Sequence, residues 1–308
     1  METTTHNKKR GRWAGLHHKD TVVPDITIVG LPYDGSICFR SGASGGPDRI
    51  RRLSTEIPPV LETGEILTRL LVRDDGDIPF GEDFVASFPG IETEIAKRIR
   101  QAFLLTLGGD HSVAIPVHRA YDQSTTNRIG LIFFDAHTDL SDRYQGSPYS
   151  NACPLRRTLE ATSFSPENTI LVGTRCFEPA GLDFIRAHHI QVFPAHEVAQ
   201  RGPASVGAEI VKKLGHLSNV YLSIDIDVLD PAYAPGTGIP DGGGLSTRDL
   251  MTIIRTLDPL PVVGTDLVEV APPLDISDIT SFAALRIIME LFGLVHRRKA
   301  RGERSTLC

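Results

Sequence analysis

The chain has 308 residues, 41% hydrophobic and 23% charged, with a formal net charge of -6. That is ordinary globular composition with enough length for a substantial core, and its mildly acidic balance gives nucleic acid nothing to bind. Four widely spaced cysteines (Cys38, Cys153, Cys176 and Cys308) form no CxxC pair, which argues against an oxidised framework or a zinc ribbon and for reduced thiols. The opening METTTHNKKRGRW has no apolar segment of a secretory signal behind it, and no unbroken run of about 18 apolar residues follows. A soluble, cytoplasmic protein with neither a nucleic-acid nor a membrane partner is expected.

Residues 1–20 are polar and aperiodic and read as a flexible or loosely docked arm, with residues 21–308 forming one catalytic domain. Strands are predicted at Ile26 to Gly30, weakly at Leu71-Val72, at Phe103 to Leu107 and at Ile129 to Phe134. Others follow at Thr169 to Gly173, Ile190 to Phe193, Val220 to Ile224 and Val262 to Leu267. Helices are predicted between them: from Gly46-Pro47 through Leu53, around Ile91 to Gln101, and over Val113 to Tyr121. Further helices fall at Ala180 to His188, Ser205 to Leu214, Ser246 to Leu257 and from Asp278 through Leu294. Unbroken apolar strands are buried on both faces, and their alternation with helices predicts right-handed crossovers. The expected fold is a single three-layer α/β/α domain with a mainly parallel sheet.

Parallel sheets place ligands beyond the carboxyl ends of their strands. Three predicted strands here run into ligand-type residues: Gly108-Gly109-Asp110-His111-Ser112, Asp135-Ala136-His137-Thr138-Asp139, and Asp225-Ile226-Asp227-Val228-Leu229-Asp230-Pro231. On an extended chain, residues two apart share a face, so Asp135, His137 and Asp139 can converge, as can Asp225 and Asp227. Two carboxylates about 4 Å apart repel by on the order of 4 kcal/mol at an effective dielectric near 20. Such groups either protonate or surround something positive. Four aspartates match the charge of two divalent cations. Oxygen and imidazole ligands without thiolate favour manganese, with nickel or cobalt as competitors. Two such ions bridge a water and lower its pKa towards neutrality. Asp230, before Pro231, reads as a turn residue, and Asp110 as a local hydrogen-bonding partner that orients His111.

The segments GGDHS (108–112), FDAHTD (134–139) and SIDIDVLDP (223–231) resemble the three signature motifs of the ureohydrolases, the family of arginases and agmatinases. GLPYDGSICFRSGASGGPDRIR (30–51), PGTGIPDGGGLS (235–246) and DLVEVAPPLD (266–275) extend the likeness to agmatinase-like members over most of the chain. The resemblance implies an arginase-like fold, and a hydrolase that cleaves a guanidino C–N bond to urea and an amine. One metal ion would be held by His111, Asp135, Asp139 and Asp225, the other by His137, Asp135, Asp225 and Asp227. Glu269 would pair with the substrate guanidinium, whose planar fork a carboxylate matches. Asp139 is a candidate catalytic group as well as a ligand. Homo-oligomers, trimers or hexamers, are also implied.

The chain departs from that pattern at Tyr149-Ser150-Asn151-Ala152-Cys153-Pro154, where agmatinase-like relatives carry a histidine at the position of Asn151. An amide cannot shuttle a proton near neutral pH, and losing the shuttle would cost roughly 10²–10⁴-fold. Three readings follow: a shifted substrate such as guanidine or a biguanide, with nickel as the metal; an agmatinase-like or guanidino-acid hydrolase using another acid; or a weak subunit supporting an active paralogue in a hetero-oligomer. Arg175 and Glu178 read as a pocket wall or a surface ion pair, and Cys153 as a residue of the site mouth or the packing.

Overall fold

The chain is described here by a computed structural model covering residues 11–18 and 23–308. Eight strands form one sheet: β1 Ile26–Leu31, β2 Val72–Asp77, β3 Phe103–Gly108, β4 Ile129–Phe134, β5 Phe164–Val172, β6 Gln191–Phe193, β7 Asn219–Asp225 and β8 Val262–Val268. Their order across the sheet is β2-β1-β3-β8-β7-β4-β5-β6, and every pairing is parallel. β1, β3, β4, β7 and β8 are buried at every position, as their unbroken apolar runs predicted. Two hydrophobic layers flank the sheet, one around the last helix and one around the helices Phe88–Ile99 and Ala114–Ser124. This is the expected three-layer α/β/α arrangement.

The differences lie at the edges. β2 runs on through Arg73, Asp74, Asp75, Gly76 and Asp77, a stretch too acidic to read as a strand. It is an edge strand with one neighbouring strand, so Arg73, Asp75 and Asp77 reach water and discourage pairing with another sheet, while Asp74 is covered by Arg51 and Trp13. The short helices Pro154–Thr158 and Ala195–Arg201 are too brief to show periodicity.

Of the expected arm, residues 1–10 and 19–20 lie outside the described residues. Gly11 to His18 are docked rather than loose. Trp13 is 1% exposed, packs 6.3 Å from the Phe292 ring and donates its indole N–H to Asp74 Oδ2 at 2.9 Å. A single aromatic in a polar stretch has no period by which a sequence reading could find it. The last helix, Ile279–Ala300, has the length and hydropathy to cross a membrane, but 78% of its most apolar stretch is buried in this fold. It is a core helix, and its apolar surface is spent on the sheet and on neighbouring helices.

Candidate metal centre

The four central strands β3, β8, β7 and β4 are consecutive in the sheet, and all contribute at their carboxyl ends. His111 stands in a turn of 3-10 helix just beyond β3, Asp135 follows β4, Asp225 ends β7 and Glu269 follows β8. The backbone reaches His111 through Gly109, where a Cβ would lie 1.9 Å from the Tyr33 carbonyl oxygen.

The ligand-type residues converge, though not by the alternation of an extended strand. The chain turns at once after β4 and β7. Asp135 Oδ1 accepts the His137 N–H at 2.6 Å, and Asp225 Oδ1 accepts the Asp227 N–H at 2.8 Å. Both are Asx-type turns, in which the carboxylate two residues back caps the amide and folds the next ligand inward. Asp139 completes its turn with φ of +50° and Glu269 with φ of +65°, uncommon for non-glycine residues and held by the surrounding packing.

His111 Nδ1 lies 3.0 Å from Asp135 Oδ2, 3.0 Å from Asp139 Oδ2 and 3.4 Å from Asp225 Oδ2. His137 Nδ1 lies 3.0 Å from Asp227 Oδ2 and 3.4 Å from Asp135 Oδ1. Asp135 thus turns one oxygen to each group. His111 Nδ1 and Asp135 Oδ2 are fully buried and have no hydrogen-bond partner. Buried orphans of this kind are costly, and a cation between them would satisfy both. The donor sets of His111, Asp135 and Asp139, and of Asp135, His137 and Asp227, are each close enough to hold one ion.

The titration behaviour agrees. Burial, then the neighbouring Asp227 and Asp135 charges, push Asp225 well above the usual carboxylate range. Burial and then Asp135 raise Asp139 to about 7. Burial works against Asp135 too, but hydrogen bonds from His111 and His137 outweigh it and hold that carboxyl below its ordinary value. Burial lowers and the carboxylates raise both imidazoles, and the carboxylates win. The cluster is short of positive charge.

Above it opens a cavity of about 220 Å³, lined by His111, His137, Asp139, Asp225, Asp227 and Glu269, with Cys38, Asn151 and Glu178 among the rim residues. Glu269 accepts the His111 backbone N–H at 2.9 Å, and burial followed by the Asp110 charge raises it to about 8. Asn151 faces the same cavity. Its Oδ1 accepts the Cys38 thiol at 2.8 Å and the Ser150 hydroxyl at 3.1 Å, so its amide N–H groups are what remain for a ligand.

Two sequence expectations are corrected, at Asp110 and at the Arg175–Glu178 pair, and one alternative is decided, at Cys153. Asp110 does not touch the His111 ring, since its two oxygens accept the backbone and hydroxyl of Ser112 and of Ser36, which ties the loop after β1 to the loop after β3. The ring's Nε2 instead meets Ser223 Oγ at 3.0 Å. Arg175 makes no ion pair with Glu178. It binds the carbonyls of Asp227, Val228, Leu229 and Asp241, bracing the backbone behind Asp227, while Glu178 accepts the Ser141 hydroxyl at 2.7 Å. Cys153 is wholly buried and packs, and the thiols at the cavity are Cys38 and Cys176. Asp230 caps the amides of Ala232, Gly243 and Gly244, as a turn residue does. Ser223 and Arg175 act through atoms that only the fold brings near, and no local pattern marks them.

Sheet order and clustered side chains define the class: an α/β enzyme with its polar centre at the carboxyl ends of the middle strands. A family model described as Arginase family matches residues 24–293. A guanidinopropionase of Pseudomonas aeruginosa is 35% identical over 291 residues, covering 92% of this chain and 90% of that protein. An agmatinase of Neisseria meningitidis serogroup C is 35% identical over 283 residues, 89% of this chain and 88% of that one. The solved structure of the proclavaminate amidino hydrolase of Streptomyces clavuligerus superposes with a TM-score of 0.86 at 31% identity, covering 93% of this chain and 97% of that chain. The chain belongs to the arginase family.

Proposed function

We propose that residues 21–308 form one catalytic domain, a binuclear ureohydrolase that converts a guanidino compound and water into urea and an amine. The observation that carries this is the pair of orphaned buried atoms, His111 Nδ1 and Asp135 Oδ2, facing each other across 3.0 Å. His111, Asp135, Asp139 and Asp225 would hold one ion, and His137, Asp135, Asp225 and Asp227 the other. The oxygen-rich donor set suits manganese, with nickel or cobalt competing. Divalent ions in such a site supply Lewis acidity and bring the pKa of water towards neutrality.

The chain's own residues do the rest. Glu269 receives the planar guanidinium through its Oε2, its Oε1 being held by the His111 amide. Fixing the cation there turns a bimolecular encounter into an oriented one. Asp139 accepts a proton at its carboxylate as water adds to the guanidino carbon. The leaving nitrogen takes back that proton from Asp139 as its C–N bond breaks, and the amine takes the second proton of the water as the urea carbonyl forms. Urea leaves from the carbon side and the protonated amine from the tail side. Asn151 cannot transfer that proton and instead donates a hydrogen bond through its amide N–H. Its fixed orientation favours guanidine or a biguanide, whose leaving group needs less help, over agmatine; an agmatinase-like or guanidino-acid hydrolase would need another acid. The complete ligand set gives no support to a supporting-subunit role. A cytoplasmic homo-oligomer, trimer or hexamer, completes the reading, and sedimentation would measure its size.

Urea release from agmatine, 4-guanidinobutyrate, arginine, guanidine and metformin, measured on manganese- and nickel-loaded protein, tests the function. Release from at least one is expected, and none from any with two ions bound would overturn it.

A further inference from the structure

Asp266 is a carboxylate that the chemistry above does not use. It sits within β8, wholly buried, and no Lys or Arg among the described residues pairs with it. Its oxygens are satisfied by hydrogen bonds: Ser223 donates to Oδ1 at 2.7 Å, Tyr221 donates to Oδ2 at 2.9 Å, and His118 Nε2 lies 3.2 Å from Oδ2. Because the Ser223 hydroxyl gives its proton to Asp266, its oxygen is left as an acceptor. The group facing it is His111 Nε2, 3.0 Å away. That nitrogen must therefore carry the hydrogen, which leaves Nδ1 as the lone pair turned towards Asp135, Asp139 and Asp225. The Phe133 ring, stacked on the imidazole with centroids 4.7 Å apart, fixes its plane. His137 has no such anchor: its side chain is 24% exposed, and no hydrogen bond reaches its Nε2 among the described residues.

We propose that Ser223 and Asp266 are positioning residues for the ion at His111 alone, setting the His111 tautomer and ring angle through the chain Asp266–Ser223–His111, while the His137 site is held without such a relay. The inference rests on the cluster being a metal centre. A carboxylate behind an imidazole raises its basicity and removes the entropy of ring rotation, and loss of such partners weakens metal binding about 10–100-fold.

The test is calorimetric titration of manganese into chelator-treated protein. Wild type should show two binding steps. In Ser223→Ala one affinity should fall by about 10–100-fold and the other stay within about twofold, and Ser223→Thr, which keeps the hydroxyl, should restore the first. Equal weakening of both steps, no change in either, or a threonine variant no better than alanine would overturn the relay. Wild-type protein that takes up no metal would instead remove the metal-centre reading itself, so the two failures are distinct.

Discussion

The floor and the rim of the cavity are built on different principles. The floor residues His111, Asp135, Asp225, Asp227 and Glu269 hang from the ends of four adjacent buried strands and are buried themselves. Their positions are set by the sheet, by two Asx-type turns and by Arg175 gripping the chain behind Asp227. The rim residues Cys38, Asn151, Cys176 and Glu178 stand on loops and are half-buried or exposed. Single contacts tie them together, such as the Cys38 thiol on Asn151. Charge chemistry needs fixed geometry and exclusion of water, which strands provide, whereas selectivity can change by altering a loop without disturbing the core. Under the proposed function the floor would carry the reaction and the rim the choice of substrate.

The most damaging change to the floor should be Asp227→Ala. It removes an oxygen near His137 and the acceptor for the Ala136 amide, so metal analysis should find one ion per chain and urea release should fall by at least about 1,000-fold. A variant that retains two ions would break the division. Glu269→Gln keeps shape but removes the charge proposed to pair with the guanidinium, and kcat/KM should drop about 100–1,000-fold with both ions still bound.

At the rim, Asn151→His should act in the other direction. If the histidine restores a proton route, agmatine turnover should rise roughly 100-fold with metal content unaltered. Unaltered turnover would show that the rim at this position governs neither proton transfer nor preference.

The smallest effect, and the one that sharpens the contrast, concerns pH. In chelated protein Glu269, raised to about 8 by burial and then by Asp110, binds a proton that the unfolded chain releases above the ordinary carboxylate value. The folded state then holds more protons than the unfolded between about pH 5 and 8, so stability falls as pH rises through that window. The melting temperature of chelated protein should fall by a few degrees from pH 5 to 9, and metal-loaded protein should show a flatter profile. Identical profiles would mean that the floor tolerates its charge without ions.

Much of this was legible in the sequence for a physical reason. Buried parallel strands have to be apolar without interruption, so five of the eight stand out, and the polar ligands at their ends interrupt that pattern conspicuously. GGDHS, FDAHTD and SIDIDVLDP announce themselves because aspartate and histidine are out of place beside strands such as Ile129–Phe134. The edge strand β2 was read only weakly, at Leu71-Val72, because its acidic continuation to Asp77 obeys no such rule, and Trp13 was missed because one residue has no period.

Chain order and residue type alone determined the layers, the parallel sheet and which side chains gather at its carboxyl end. Only tertiary structure decided how they meet. That Asp110 serves Ser36 rather than His111 and that Asn151 is pinned by Cys38 depend on contacts between residues 74 and 113 positions apart. Local patterns reveal period and polarity. A hydrogen bond between distant segments exists only once packing has brought its two ends together.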